Sequence, residues 1–323
     1  MSPNIELLKR CSVETGYRVD ILEKITRLGK FADEISKHSF LDQVLALKGG
    51  TAFNLCFGTP ERLSVDLDYN YIAHPEREKM LLDRPIVEKN LVDIATHLGY
   101  QVQKSADAFA GRKTYLRYQS MLGPRDRIEV DINFVHRVPI GKIEKRSLWQ
   151  PGGINQPSVN VVGQSELLLG KLNAFIERTA PRDAWDVMHL SEPMVAMLKT
   201  SEFRARFIAL SAVLEQPLQT YTYDRLRGLL RDQFVAEQLT PVLPENATIS
   251  AEELAQKSWS KVESLISLKS HEREYIDAIQ HGELRLELLF PDNVKETSLF
   301  GRHPAILWKL ENARSHRLDH EMG

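Results

Sequence analysis

Only two cysteines, Cys11 and Cys56, occur in the 323 residues. Neither their number nor their spacing builds a disulfide framework or a zinc site, and a reducing, cytoplasmic setting is the expectation. Long hydrophobic runs are also missing. No stretch approaches the roughly 20 apolar residues that a membrane span needs, and the opening MSPNIELLKRC lacks the apolar core of a secretory signal. No membrane role is therefore expected. Charge of one sign is not in surplus either. With 42 Lys and Arg against 44 Asp and Glu, the formal net charge is −2, so any nucleic-acid binding has to come from a local basic face. Internal repeats and low-complexity tracts are absent, as is a G-x-x-x-x-G-K-[ST] phosphate loop.

What is present reads as two kinds of chain. Residues 3–40 carry a helical pattern, with Val19, Leu22, Ile25, Leu28 and Phe31 at three-residue steps. The apolar run Val44 to Leu47 then stops at Gly49-Gly50. TAFNLCF reads as a short helix, SVDLDYNYI as a strand, and residues 76–98 as a helix. YQVQKS, KTYLRYQSML and RIEVDINFV read as three more strands. QPGGINQPS reads as a loop, and VNVV as a last short strand. From Gln164 onward the pattern is helical, with an interruption near Pro241 to Glu245. The expected fold class is α+β. Residues 1–163 would form a sheet-and-helix domain and residues 164–323 a helical one.

The chemistry-bearing residues lie on the expected strands. Residues two apart on a strand share a face, so Asp66 and Asp68 project together while Leu67 packs behind them. In RIEVDINF, Glu129 and Asp131 likewise share a face opposite Ile128, Val130 and Ile132. If the two strands are neighbours, Asp66, Asp68 and Asp131 converge. Carboxylates that close raise one another's pKa, and a hard divalent cation removes the penalty. On its own a D-x-D reads more readily as acids on a solvated strand edge. Here the strand is otherwise apolar, and a third acid lies on a second apolar strand.

Gly49 and Gly50 stand between a strand and a helix start, where a backbone approaches an anion closely. Thr51 would add a hydroxyl. A Gly-Gly pair alone is more often just a tight turn, and Lys48 and Arg62 are equally readable as surface charges.

Taken together, K-G-G-T-A-x-N-L, R-L-S-V-D-L-D and the later h-D-h-N strand resemble the DNA polymerase β-like nucleotidyltransferases. More narrowly they are similar to the AbiEii/AbiGii-type toxins of type IV toxin–antitoxin systems, known from abortive infection. Fifteen residues, 51 through 65, separate Gly50 from Asp66. That gap is long for the superfamily but suits the R-x-S-x-D-x-D variant of this toxin group. In the helical half, QSELLLGKLNAFIERTAPRDAWDVMHL matches the group's E-x-x-x-x-K … R-x-x-x-R-D-x-x-D signature through Glu166, Lys171, Arg178, Arg182, Asp183 and Asp186. The resemblance covers roughly residues 44–190.

The resemblance implies site roles. Asp66, Asp68 and Asp131 would hold Mg²⁺, with Mn²⁺ as the alternative ion, and Asp131 would lie nearest the attacking hydroxyl. Lys48, Gly49, Gly50, Thr51, Arg62, Ser64, Arg182 and Asp183 would contact the NTP. Lys171 would balance transition-state charge, with Asp186 as a further catalytic residue. Asp183 and Asp186, three apart on one helix face, are placed to orient Lys171 or Arg182. Asp183 also reads as a helix N-terminal acid, just after Pro181. An RNA acceptor, tRNA in particular, and a neutralising antitoxin are implied in the same way. GRKTYLRYQSMLGPRDR carries Arg112, Lys113, Arg117, Arg125 and Arg127 among Tyr115 and Tyr118. This is either an RNA-binding patch or a solvated sheet face. Two other readings remain: the same chemistry on a protein or small-molecule acceptor, and a binding protein that keeps the fold without the reaction.

Overall fold

The computed structural model describes residues 4–108, 110–153 and 155–321. Pro3, in the expected first helix, and Ile154, in the expected loop, lie outside them. The expected first helix is in fact two. Helix α1 (Ile5–Thr15) opens where the Asn4 side chain accepts from Glu6 N. It closes at Gly16, whose φ of 74° is the left-handed conformation that ends helices. Helix α2 (Val19–Lys37) then buries Leu22, Ile25, Leu28, Phe31 and Ile35 along one stripe, as the three-residue steps require.

A short turn of helix, α3 (Leu41–Val44), leads into strand β1 (Leu45–Lys48) and helix α4 (Gly49–Leu55). Then come β2 (Asp66–Tyr71), α5 (Arg77–His97), β3 (Gln101–Lys104), β4 (Gly111–Gln119), β5 (Arg125–Asn133), β6 (Glu144–Ser147) and β7 (Ser158–Val161). The polar β6 was not legible in the sequence, since EKRS has no apolar alternation. It pairs antiparallel with β7 at the sheet edge, where a strand needs no buried face.

The seven strands form one sheet in the order β3-β4-β5-β2-β1-β7-β6. β2 runs parallel to β5 and β1 parallel to β7; the remaining neighbours are antiparallel. Alternation sorts each central strand into two faces. Leu67, Leu116, Ile128, Val130 and Ile132 are all buried. On that same side Glu23 of α2, itself buried, accepts from Ser120 Oγ and Met121 N and so pins the β4–β5 turn to the helix. Lys24 of α2 bonds Asp126 at 2.9 Å. The opposite face of β2 and β5 carries the acids.

Two compact units result. The first comprises Met1–Leu167 together with Ala236–Thr248, and the second Leu168–Val235 with Ile249–Gly323. The division falls inside helix α6 (Gln164–Arg178). The returning segment 236–248 is not part of the expected division at residue 163. The second unit is helical. Helices α7 (Pro181–Met188), Ser201–Ser211, Ala251–Ile266 and Ser270–Gln280 contribute buried Val187, Phe207, Val262 and Tyr275. Arg204 makes a two-pronged bond to buried Glu272 at 2.6 and 2.7 Å, and Arg206 another to Glu296. Among the described residues, no helix is long and apolar enough to cross a membrane.

Candidate active site

The turn after β1 is built on two glycines for steric reasons. Gly49 has φ 67°, and a Cβ there would collide with the Asp68 carboxylate. At Gly50 a Cβ would sit 2.8 Å from Ser64 Oγ and 3.1 Å from Arg62 Nη2. The turn thus packs directly on Asp68 and on the Arg62–Ser64 segment. Arg62 is buried, with Nη1 donating to Leu63 O at 3.0 Å, and does not behave as a surface charge. Thr51, expected to offer its hydroxyl to a ligand, is instead fully buried, and that hydroxyl donates to the Asp66 carbonyl. It fastens α4 to β2.

The strand register draws one row of charges across the sheet. Lys48 on β1 is the partner of Asp68 on β2, Asp68 of Asp131 on β5, and Asp131 of Lys113 on β4. Two carboxylates therefore lie between two lysines. Burial pushes the Asp131 carboxyl above the usual range and the Asp68 charge adds to this, while Lys48 and Lys113 pull it back. In the next row Asp66 is the partner of Glu129. Glu129 is engaged by Arg127 at 2.9 Å and Lys113 at 3.5 Å. The Lys113 ammonium is held above its ordinary range, because Glu129 and Asp131 outweigh its burial. The role of Lys113 beside Asp131 was missed from sequence, although the tight β4–β5 hairpin, once its register is known, makes the two residues partners.

Among the described residues, no set of three or more His, Cys, Asp or Glu side chains is grouped as a ready cation site. The donor chemistry nevertheless fits a hard divalent ion. Two carboxylates are made to adjoin on paired strands, one of them raised in pKa by burial and then by the other's charge, and Asp66 shares their face two residues along.

Glu166, in the first turn of α6, is buried and accepts from Ile140 N at 2.8 Å and Gly141 N at 3.3 Å. Burial pushes its carboxyl up to about 7 against the pull of those two N–H groups and of Lys48. In the second unit Lys171 is buried, with Nζ 3.0 Å from Asp183 and 2.6 Å from Asp186. Arg178 reaches the other oxygen of Asp183 at 2.9 Å. Both aspartates thus engage Lys171, and Arg182 lies half-buried on the same helix.

The basic patch does not survive intact. Alternation sends Arg112 and Tyr118 to the helix-covered side. There Arg112 bonds Glu88 of α5, and Tyr118 bonds Asp126 and takes the Arg27 guanidinium over its ring. Lys113, Tyr115, Arg117, Arg125 and Arg127 stay on the side of Asp131, where Arg127 lies over the Tyr115 ring at 4.7 Å. Contiguity in sequence had merged two faces.

Residues 33–278 match the family described as the nucleotidyl transferase AbiEii toxin of the type IV toxin–antitoxin system. The chain belongs to the AbiEii family. It is a nucleotidyltransferase toxin of that type, and the expected α+β class holds. The AbiEii match includes the whole sheet, the glycine turn, both acidic strands and the Lys171 cluster, and it stops before the last two helices, Val294–Gly301 and Pro304–Glu321. MenT4, a nucleotidyltransferase toxin of Mycobacterium tuberculosis H37Rv, has a similar structure. Its TM-score is 0.57 over 94% of this chain and 99% of that one, at 16% identity. At that identity the likeness is one of fold. No curated protein matches the sequence.

Proposed function

We propose that this AbiEii-type protein transfers a nucleoside monophosphate from an NTP to RNA, with tRNA the favoured acceptor, and releases pyrophosphate. The observation that carries the reading is the packing of Gly49 against Asp68, with Asp68 in register with Asp131. It brings a backbone suited to phosphates and a carboxylate pair suited to a hydroxyl onto one spot of the sheet.

In this reading the Gly49–Gly50 backbone, Lys48, Arg62 and Ser64 hold the triphosphate. Asp66, Asp68 and Asp131 would hold Mg²⁺ or Mn²⁺, which supplies charge neutralisation on the phosphates. The acceptor hydroxyl oxygen bonds to the α-phosphorus as the bond to the bridging oxygen breaks. Its proton passes to the Asp131 carboxylate, which lies in the same register row as Asp68. Lys113 keeps that carboxylate charged between turnovers. Lys171, Asp183 and Asp186 are assigned to transfer on the family signature. The exposed Arg117 and Arg125, together with Lys113 and Arg127 on the Asp131 face, support a polyanionic acceptor. A cognate antitoxin is the expected partner of a toxin of this type.

The test uses purified protein, Mg²⁺, each α-labelled NTP in turn and total tRNA, beside Asp68→Asn. Label reaching RNA with the wild type alone supports the proposal and names the base. NTP binding without labelled RNA moves the acceptor to a protein or small molecule. Equal labelling by Asp68→Asn removes the carboxylate pair from the mechanism.

A further inference from the structure

Three segments far apart in sequence are fastened together beside the glycine turn. The first is the end of α1 with Tyr17, the second the loop Pro60 to Ser64, and the third the returning segment 236–248. Buried Tyr17 donates its hydroxyl to Pro60 O at 2.7 Å and accepts at its own carbonyl from Ser12 Oγ at 2.6 Å. Leu63 N donates to Val242 O at 2.9 Å, and Glu245 N donates to Gly16 O at 2.8 Å. At Gly16 a Cβ would stand 3.2 Å from Pro244 Cβ. Leu239, Val242 and Leu243 are buried, so the returning segment is anchored by apolar contact as well as by its backbone.

The centre of this assembly is Arg62-Leu63-Ser64, and its two outer residues are the groups that meet Gly50. Residues 56–65 belong to neither helix nor strand. No ladder of regular hydrogen bonds holds them, so their placement depends on what grips them from outside. Tyr17 grips the loop at Pro60, and Val242 grips it at Leu63.

We propose that Tyr17 and the returning segment 236–248 form a positioning clamp that sets the Arg62–Ser64 wall of the nucleotide site. The inference rests on reading the Gly49–Gly50 turn as the place where the NTP phosphates bind. Nothing in the clamp touches a reacting atom. Its effect is therefore on nucleotide capture and not on the chemical step.

Tyr17→Phe removes one hydroxyl and keeps the ring. The expected result is a KM for NTP raised roughly three- to tenfold, the scale of one buried hydrogen bond, with kcat within about twofold. Hydrogen exchange adds a reading that needs no variant. In the wild type, a non-hydrolysable NTP analogue should slow exchange at the Leu63 and Glu245 amides. An unchanged KM overturns the clamp, as does a fall in kcat matching the change in KM, or nucleotide-independent exchange at both amides. A wild-type protein that binds no NTP would instead remove the phosphate-site reading itself, and would do so whatever Tyr17→Phe shows.

Discussion

Asp68 and Asp131 are register partners on two parallel strands, flanked in the same row by Lys48 and Lys113. The sheet holds two like charges side by side and sets one cation at each end of the pair. Such a row is costly for folding alone, because burial and the neighbouring Asp68 charge both disfavour ionisation of Asp131.

Replacing Asp131 by Asn should therefore abolish transfer while stabilising the fold. The raised pKa gives the sign. Asp131 contributes stability that is fully present below its ordinary value of 3.8 and lost as pH rises through the raised folded value. In the metal-free protein the penalty is complete at neutral pH, so Asp131→Asn should then melt higher than wild type at pH 7, by about 1.5 °C per kcal/mol relieved. The advantage should vanish on acidification toward pH 4. Thermal melts at both pH values check this, and a lower melting temperature at pH 7 would count against the repulsion.

Lys171 presents the reverse case. Sequence alone suggests that Lys171→Ala slows transfer more than it weakens folding. The structure changes that expectation, since the variant removes the cation that buried Asp183 and Asp186 share. Removing one partner of a buried ion cluster costs about 3–5 kcal/mol. Urea unfolding should show a loss of that order for Lys171→Met. The triple variant Lys171→Met, Asp183→Asn, Asp186→Asn should recover most of it. Transfer assays on the triple variant then report the chemical role separately from the structural one.

Glu166 should give the protein a stability that falls between acid and neutral pH. Its folded pKa of about 7 stands above the ordinary 4.5. Its contribution is therefore complete below about pH 4.5 and is lost as pH rises through about 7. The full difference is on the order of 3 kcal/mol. Glu166→Gln keeps an oxygen for Ile140 N and Gly141 N but cannot ionise. Urea titrations at pH 5 and pH 8 should differ for wild type and agree more closely for the variant.

The two faces of the β4–β5 hairpin predict opposite outcomes for arginines close in sequence. Arg117→Glu with Arg125→Glu should weaken RNA binding and lower the slope of log K against log salt by about 1.4, two contacts at about 0.7 each on a single strand. Arg112→Ala should leave RNA binding and its salt slope unchanged, because Arg112 is turned to Glu88 on the other side. Filter binding at several salt concentrations separates the two. An equal effect from Arg112→Ala would mean that the RNA does not follow the Asp131 face.

The sequence by itself determined the local periodicities and the faces they create. Period-two alternation in DLDYNY and RIEVDINF places Asp66, Asp68 and Asp131 on faces opposite buried Leu67, Val130 and Ile132. The three-residue steps of α2 fixed its buried stripe, and the glycine pair announced a close approach at the end of β1. The short polar strand β6 and the break at Gly16 escaped such reading, since one has no apolar rhythm and the other is a single residue's conformation.

Tertiary structure alone decided which residues meet. Strand order put β2 beside β5, and register rather than spacing made Lys48, Asp68, Asp131 and Lys113 a row. The same pleat divided a contiguous basic run into an exposed track and a set of helix-facing ion pairs. A segment about 180 residues further along the chain than Leu63 came back to grip it. Periodicity is a property of neighbours along the chain and is written locally. Convergence is settled by which buried surfaces pack together, and no local pattern records that choice.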